Sequence, residues 1–359
     1  MKDKLVGSVE AADKEFMKKA KAHWDNRTHP TGSLGALEAM TIRLAGIQRK
    51  VVPSVEKTAI VVFCADNGVV AEDVSSSPPV FTQMLANAMA RGETGVAALS
   101  KWADSELYIV DMGMNKDVAR EAKIIDESLR KGTGNIAEEP AMSRDEAIEA
   151  IKRGMDITKA AIKRGASMIG TGELGIGNTT TSAALLCALT GESAEDCVGY
   201  GAGITEAQLA KKVAVVKKAV TRAGDGDVIH KIAQVGGLDL AGLVGAFLAC
   251  AEEKTVAVVD GFVTGVAALA AIQLAPEARD YIFLSHKSAE KASALVNRHM
   301  GMEPPLDLAM RLGEGSGCPL AFQVLDAACA VINDMATFDE AGINDDYLDE
   351  IRRGDQFTP

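Results

Sequence analysis

Residues 168–185 decide the fold, and their sequence is Met-Ile-Gly-Thr-Gly-Glu-Leu-Gly-Ile-Gly-Asn-Thr-Thr-Thr-Ser-Ala-Ala-Leu. An apolar run, 166–169, precedes four glycines, and a second apolar segment, 183–189, comes after three threonines. This order predicts a strand, a glycine-rich turn and a helix that Asn178 or Thr179 caps. Glycines let backbone N–H groups come close to a ligand, and the N-terminus of a helix attracts anions. The turn therefore predicts a phosphate-binding site.

Two other interpretations of this turn stay open. The spacing Gly170-x-Gly172-x-x-Gly175 matches the dinucleotide-binding fingerprint, and acidic residues lie about 20 positions further on. The fingerprint does not account for residues 177–180, however, and the Gly-Lys-Ser/Thr of a Walker A loop does not follow. A strand-to-helix turn without a ligand is the other alternative, but such a turn rarely needs four glycines and three hydroxyl groups. A mononucleotide phosphate held without a P-loop lysine fits the residues better.

The composition is typical of a globular protein with one large or two ordinary domains. Of the 359 residues, 47% are hydrophobic and 25% are charged. The net charge of −12 argues against nucleic acid as a partner, because phosphate backbones require basic surfaces. The N-terminus, Met1-Lys2-Asp3-Lys4, lacks an apolar signal core, and no apolar run approaches the length of a membrane span. We therefore expect a cytoplasmic protein with neither a nucleic-acid nor a membrane partner.

The six cysteines are scattered, mostly within apolar segments, and no Cys-x-x-Cys pair occurs. This distribution predicts reduced cysteines in the core of a cytosolic protein. The same lack of spacing argues against a zinc site. We expect no metal and no cofactor.

Four further apolar runs, at residues 59–65, 107–112, 256–259 and 281–284, have the continuous hydrophobicity of strands buried on both faces. Helical segments alternate with these runs. The pattern predicts an α/β fold with a doubly wound, mostly parallel, Rossmann-like sheet. Glycine, Asp, Ser and Asn gather just after the strands, as in Asp66-Asn67-Gly68. The site is therefore expected at one edge of the sheet.

Both ends of the chain are predicted to be helical. We expect helices at about 8–24, capped by Ser8, at 36–49, and in a long apolar segment that ends near Met335. A capping box, Ser143 with Glu146, predicts the start of a helix at about 144–164. The predicted domains are a small helical one, from residues 1–50 plus about 320–359, and a Rossmann-like α/β catalytic domain from 51–320.

Glu314 is the strongest catalytic candidate. It lies between Gly313 and Gly315 just before an apolar helix, so its carboxylate can approach a ligand closely. Partial burial there would raise its pKa towards values useful for a general base. Glu173, inside the predicted phosphate loop, either orients loop amides or contacts the substrate. The lone His286, beside a lysine and two serines, is more typical of a structural residue.

The motifs together resemble the nicotinate-nucleotide:dimethylbenzimidazole phosphoribosyltransferase family of cobamide lower-ligand assembly. The resemblance runs from Pro30-Thr-Gly-Ser-Leu-Gly-Ala-Leu-Glu38 to Met335. Its specific motifs are Gly172-Glu-Leu-Gly-Ile-Gly-Asn-Thr-Thr180, Val235-Gly-Gly-Leu-Asp239, Asp260-Gly-Phe262, Ser285-His-Lys-Ser-Ala-Glu290 and Arg311-Leu-Gly-Glu-Gly-Ser-Gly317. The resemblance implies a homodimer, or a pair of related subunits. It also implies the transfer of phosphoribose from nicotinate mononucleotide to an aromatic base, giving an α-riboside 5′-phosphate.

The resemblance also implies roles for individual residues. Glu314 matches the general base. Positions around the phosphate match Gly175, Gly177, Asn178, Thr179, Thr180, Lys212 and Ser288. Positions around the incoming ring match Ser77, Leu174 and Leu312.

Two positions depart from the family pattern. Leu85 stands where the family commonly has a glutamine that faces the acceptor, and Asn67 replaces the histidine of an Asp-His-Gly motif. Gln83, two residues away, lies on the wrong helix face to replace that glutamine simply. Leu85 therefore leaves the acceptor open between 5,6-dimethylbenzimidazole and phenolic compounds such as p-cresol.

Two functions of other classes remain as alternatives. One is a nucleotide-binding partner subunit that stabilises an active paralogue, which the intact Glu314 and phosphate loop argue against. The other is an NAD-dependent dehydrogenase, which would use the fingerprint at Gly170–Gly175.

Overall fold

The computed structural model describes residue 5, residue 7 and residues 9–115 and 118–353. A six-stranded sheet forms the centre of the described chain, with every neighbouring pair parallel. The strands are β1 (Lys57–Ala65), β2 (Glu106–Gly113), β3 (Ile124–Asp126), β4 (Ala166–Leu174), β5 (Val256–Val259) and β6 (Ile282–Leu284). Their order is β3-β2-β1-β4-β5-β6, which is the Rossmann order. The predicted fold class is confirmed, although the short strand β3 was not predicted.

Helices cover both faces of the sheet. Those of the described chain are α1 (Lys14–Asp25), α2 (Ala36–Gln48), α3 (Phe81–Arg91), α4 (Gly95–Trp102), α5 (Arg144–Lys163), α6 (Asn178–Thr190), α7 (Ala194–Cys197), α8 (Glu206–Ala223), α9 (Val228–Val235), α10 (Leu238–Glu252), α11 (Phe262–Leu274), α12 (Ser293–Met300), α13 (Cys318–Asp334) and α14 (Asp349–Arg353). Short 3₁₀ helices lie at Gly68–Glu72, Pro276–Tyr281 and Asp346–Leu348. None of the helices in the described ranges is long and apolar enough to cross a membrane. All six cysteines are buried, as predicted.

The first helix begins later than predicted. Helix α1 starts at Lys14, because the carboxylate of Asp13 caps it by accepting the backbone N–H groups of Glu15 and Phe16. The predicted cap, Ser8, lies outside the described residues. The capping box of Ser143 and Glu146 at the start of α5 is confirmed.

The boundary between strand and turn within residues 168–185 also differs from the prediction. Strand β4 continues to Leu174, so Gly170 and Gly172 belong to the strand and not to the turn. Gly177, at a left-handed φ of 89°, is the residue that precedes α6, and Asn178 is already helical. The predicted cap by Asn178 or Thr179 is therefore wrong, because no side chain caps this helix.

The terminal helices pack together around the fully buried Trp24. This indole donates a hydrogen bond of 2.8 Å to Thr41 Oγ1 in α2, and Ile332 of α13 contacts the same cluster. Helix α13 begins against the sheet, where Cys318 Sγ lies 3.4 Å from the carbonyl oxygen of Val258. One continuous helix thus connects the sheet with the terminal helices. The division into two domains at residues 50 and 320 remains a prediction.

Helices α5 and α10 approach each other through glycines. A Cβ atom at Gly154 would overlap the carbonyl oxygen of Gly242, and one at Gly245 would overlap that of Ile151. Helix α10 is buried along almost its whole length. The backbone contact between these helices therefore leaves no room for a methyl group.

Gly154→Ala is expected to destabilise the protein by about 1–3 kcal/mol through overpacking. The loss should exceed the gain of about 1 kcal/mol in helix propensity. Gly265→Ala in α11 is the matched control, because its methyl would lie 3.1 Å from a side-chain methyl of Val296 rather than overlapping backbone. Equal thermal-unfolding midpoints for the two variants would contradict the close helix contact.

Candidate active site

A cavity of about 240 Å³ opens at the carboxyl ends of β4, β5 and β6. It brings together most of the residues predicted from the sequence. Those that line it are Ser77, Leu85, Glu173, Leu174, Gly175, Asn178, Thr179, Ser288, Leu312 and Glu314. Gly177, Thr180 and Lys212 do not line it. Asp66 and Asn67 also lie outside it, along a separate depression that includes Lys131 and Thr133.

Several lining residues were not predicted as site residues. They include Gly201, Asp260, His286, Glu290 and Arg311. Asp260, His286 and Glu290 follow strands, Gly201 belongs to a glycine cluster, and Arg311 precedes one. These positions were the available signal. Tertiary contacts decide which of the polar residues in these segments reach the cavity, and the local sequence does not specify those contacts.

The turn between β4 and α6 is positively polarised. The φ of 89° at Gly177 is a conformation that favours glycine, and a Cβ there would lie 2.7 Å from a methyl group of Val70. Two of the first N–H groups of α6 are used within the turn, since Asn178 donates to the carbonyl oxygen of Gly175 at 3.1 Å and Thr180 to that of Gly177 at 2.9 Å. The positive end of the helix dipole still favours an anion at this position. The side chain of Thr179, in the first turn of α6, lines the cavity.

Lys212 adds a buried cation next to this turn. Its Nζ atom donates to Thr179 Oγ1 at 2.8 Å and to the carbonyl oxygen of Gly199 at 3.2 Å. Burial lowers the pKa of Lys212 to about 8, and the negative charge of Glu290 opposes part of this effect. Both of these acceptors, a hydroxyl oxygen and a carbonyl oxygen, are uncharged. An anion near Thr179 would therefore stabilise the ammonium charge of Lys212.

Asn178 holds two buried carboxyl groups beside the cavity. Its Nδ2 atom donates to Glu173 Oε2 and, at 3.2 Å, to Asp239 Oδ2. Burial raises the pKa of Glu173 to about 8 and that of Asp239 to about 6. Glu173 is therefore largely protonated at neutral pH in the ligand-free protein and can donate a hydrogen bond.

Glu314 has an uncommon backbone conformation. Its φ is 64°, between Gly313 at 84° and Gly315 at 91°. Its Oε2 atom accepts the backbone N–H of Val96 at 3.3 Å. Burial raises the pKa of Glu314 above its ordinary value, while the hydrogen bond from Val96 opposes this shift. A carboxylate with a raised pKa on a cavity wall is suited to accept a proton from a ligand.

The surroundings of His286 favour a structural role. Its Nδ1 atom lies 2.9 Å from Ser285 Oγ, and burial lowers its pKa. The neutral ring fills space beside the turn at Gly317, where a Cβ would overlap Nδ1.

Apolar side chains form another part of the wall. Leu85 and Leu312 line the cavity, with 36% and 58% of their surfaces exposed. Gln83 points elsewhere, since it is buried and its Nε2 atom donates to Asn87 Oδ1 at 3.3 Å. The amide of Gln83 therefore does not replace the side chain at position 85. Within the described ranges, no group of three or more His, Cys, Asp or Glu residues could hold a metal ion.

Known proteins match the chain along nearly its whole length. A family model described as phosphoribosyltransferase matches residues 9–343. The chain belongs to this phosphoribosyltransferase family. A relative from Ruminiclostridium cellulolyticum, named nicotinate-nucleotide--dimethylbenzimidazole phosphoribosyltransferase, is 43% identical over 343 residues, which are 95% of this chain and 97% of the relative. A relative of the same name from Clostridium perfringens is 41% identical over 98% of each chain.

Solved structures agree with this assignment. CobT from Thermus thermophilus superposes with a TM-score of 0.89 at 37% identity, covering 92% of this chain and 99% of that one. Membership makes the chain a pentosyltransferase and argues against the dehydrogenase alternative. The relatives from Ruminiclostridium cellulolyticum and Clostridium perfringens both carry the dimethylbenzimidazole name, so the phenolic and heterodimer alternatives gain no support from them.

The buried carboxyl groups predict how stability depends on pH. Glu173 has an ordinary pKa of 4.5 and a folded-state pKa of about 8, so the folded protein retains a proton that the unfolded chain releases. Its contribution to stability is complete below about pH 4.5 and is lost as the pH rises through about 8. Asp239 and Asp260, with pKa values raised mainly by burial to about 6 and about 7, act in the same direction. We expect the thermal midpoint of the ligand-free protein to fall as the pH rises over this range.

Glu173→Gln should flatten this pH dependence, because a neutral amide replaces the titrating carboxyl group. Glu146→Gln is the control: the N–H of Ser143 lowers the pKa of Glu146, so its titration affects stability only at more acidic pH. The control should shift the whole curve without changing its slope near neutral pH. Parallel curves for wild type and Glu173→Gln would contradict the raised pKa of Glu173.

Proposed function

We propose that the chain transfers the 5-phosphoribosyl group of nicotinate mononucleotide to 5,6-dimethylbenzimidazole. The products are nicotinate and an α-riboside 5′-phosphate for the nucleotide loop of a cobamide. The relatives' names support these substrates. The observation that carries the proposal is that one cavity is lined both by Thr179, at the N-terminus of α6, and by the carboxyl group of Glu314.

The proposed reaction requires one base and a closed site. A nitrogen of the acceptor forms a bond to C1′ of the ribose while the bond from C1′ to the pyridinium nitrogen breaks. Nicotinate departs with a neutral ring nitrogen, so activation by a metal is unnecessary. The acceptor loses its N–H proton to Glu314, and attack on the face opposite nicotinate inverts the β-configuration to α. Holding the reactants together supplies much of the rate enhancement.

The remaining predicted residues fall into two groups in this proposal. The phosphate group binds at the turn between β4 and α6. Lys212 orients Thr179 by donating a hydrogen bond to its Oγ1 atom. Of the other residues predicted around the phosphate, Gly175, Asn178 and Ser288 line the cavity and contact the phosphate in this proposal, whereas Gly177 and Thr180 shape the turn. Ser77, Leu85, Leu174 and Leu312 surround the aromatic acceptor, and Glu173 contacts the substrate or orients the loop.

We further propose that the protein works in the cytoplasm as a dimer, with an identical or a paralogous subunit. Phosphorylated substrates do not cross membranes unaided, which favours the compartment where they are made. Exposed apolar side chains near the cavity, Phe81, Met84 and Leu312, are suited to contact a second subunit.

The direct test incubates the purified protein with nicotinate mononucleotide and a panel of benzimidazoles, purines and phenols. Product masses then identify the acceptors. We expect the α-riboside phosphate of 5,6-dimethylbenzimidazole to form together with nicotinate. Turnover of phenols alone would overturn the proposed acceptor, and no ribosyl transfer to any acceptor would overturn the proposed function.

Glu314→Gln should lower kcat by about 10²–10⁴-fold, the usual contribution of a positioned general base. The amide has nearly the same shape and can still accept the N–H of Val96, so calorimetric binding of nicotinate mononucleotide should persist. Glu253→Gln, at an exposed position outside the cavity, is the control and should retain wild-type turnover. Wild-type turnover in Glu314→Gln would remove Glu314 from the role of general base.

Gly177→Ala should weaken nicotinate mononucleotide far more than the free aromatic acceptor, because the left-handed φ and the close contact of the new methyl with Val70 would displace the turn that binds the phosphate. Gly191→Ala controls for backbone strain, since Gly191 ends the same helix at a φ of 79° with open space around it. Calorimetry of both ligands with both variants separates the effects. Equal weakening of both ligands by Gly177→Ala would show that the turn is scaffolding.

A further inference from the structure

Asp260 connects the end of β5 to the turn that carries Glu314. Its side chain is buried, and each carboxylate oxygen accepts one backbone N–H from that turn. Gly315 donates to Oδ2 at 3.0 Å, and Gly317 donates to Oδ1 at 2.6 Å. These two donors flank Ser316, so the carboxylate of Asp260 holds the segment directly after Glu314 at two points.

The turn needs such support because its backbone conformation is intrinsically unfavourable. Residues 313–315 all have left-handed φ values, of 84°, 64° and 91°. Glycine adopts this region freely, but Glu314 does so against its own Cβ atom. Such a conformation persists only where surrounding contacts fix it.

The position of Asp260 is itself fixed by its neighbours. Its backbone N–H donates to Thr264 Oγ1 at 3.0 Å, and its carbonyl oxygen accepts the hydroxyl of Ser285 at 2.8 Å. On another side of the turn, a Cβ at Gly172 would overlap the carbonyl oxygen of Glu314. The turn is thus held between the β4 backbone and the Asp260 carboxylate.

The same hydrogen bonds also serve helix α13. Gly317 precedes this helix, and no side chain of its own segment caps it. Asp260, from a distant part of the chain, accepts hydrogen bonds at this N-terminus, and its ionised form also stabilises the helix dipole. A stability effect of Asp260 is therefore expected in any case and cannot by itself show a role in the reaction.

We propose that Asp260 is the positioning residue for Glu314: its two backbone hydrogen bonds fix the left-handed turn that aims the Glu314 carboxyl group into the cavity. This inference rests on the proposed function of Glu314 as general base. Asp260 also lines the cavity, but both of its carboxylate oxygens accept N–H groups of the turn, so it acts through Glu314 and not on the substrate.

A double-mutant cycle on the full chain tests this inference. Asp260→Asn keeps the shape of the side chain but leaves one N–H facing an amide nitrogen. We expect kcat to fall by about 10–100-fold, as misplacing a catalytic group does, with a much smaller change in KM for nicotinate mononucleotide. In the Glu314→Gln background, Asp260→Asn should lower kcat no further, because the group that it positions is already lost.

Each outcome has a distinct meaning. Wild-type kcat in Glu314→Gln would overturn the proposed general base, whatever Asp260 does. Slow Glu314→Gln with a full additional loss from Asp260→Asn would overturn the positioning role alone. Asp227→Asn is the stability control, since Asp227 caps α9 and pairs with Arg144 away from the cavity; it should lower the unfolding midpoint but keep kcat.

Hydrogen exchange of the wild-type protein provides a test that does not depend on any variant. The amides of Gly315 and Gly317 should exchange as slowly as amides in the second turn of α13. Exchange as fast as that of the exposed segment at residues 340–344 would overturn the inference, because the two hydrogen bonds would then not order the turn.

Discussion

The site depends on the absence of side chains in the middle of β4. A Cβ at Gly170 would lie 2.6 Å from the Cβ of Cys318, and one at Gly172 would overlap the carbonyl oxygen of Glu314. The segment that leads into α13 can therefore lie directly against the strand. This contact places Glu314 on the wall of the same cavity as Glu173, which comes from the end of β4 itself. Larger residues at either glycine would push the segment away from the sheet.

The cavity does not lie at the point where the strand order reverses, between β1 and β4. Packed polar groups fill that crevice. A Cβ at Gly175 would lie 2.5 Å from the carbonyl oxygen of Ala65, 2.9 Å from Asn67 Nδ2 and 3.0 Å from Asp239 Oδ2. The cavity instead lies over β4, β5 and β6, where residues 311–314 form part of its wall. In doubly wound sheets, ligands generally bind at the carboxyl ends of the strands where the strand order reverses. This rule gives the correct edge of the sheet here but not the correct strands.

Apolar runs predicted most of the sheet because strands buried on both faces require continuous hydrophobicity. Strand β3 contains only two apolar residues, Ile124 and Ile125, before Asp126, so it offers no comparable run. The four glycines of the decisive stretch were interpreted together as a phosphate turn. Gly170 and Gly172 instead allow the start of α13 and the turn before it to lie against β4. A single sequence does not distinguish a glycine that binds phosphate from one that allows close packing. The resemblance of the motifs to a known family supplied the residue roles that periodicity could not.

Tertiary contacts decide the remaining parts of the site. Lys212 is buried while its neighbours Lys211, Lys217 and Lys218 form ion pairs at the surface, although all four lie on α8. The side chain of Asp260 is likewise committed to a turn more than fifty residues further along the chain. No local pattern indicates either role, because the partners come from elements that are distant in sequence.

The central claim is that one cavity binds the phosphate at the N-terminus of α6 and presents C1′ of the ribose to an acceptor activated by Glu314. A crystal structure of the protein with nicotinate mononucleotide tests it most directly. We predict the phosphate beside Thr179, about 2.7–3.2 Å from backbone N–H groups of the turn, with C1′ directed towards the space next to Glu314. A phosphate bound instead beside Lys131, in the depression along Asp66 and Asn67, would contradict the claim.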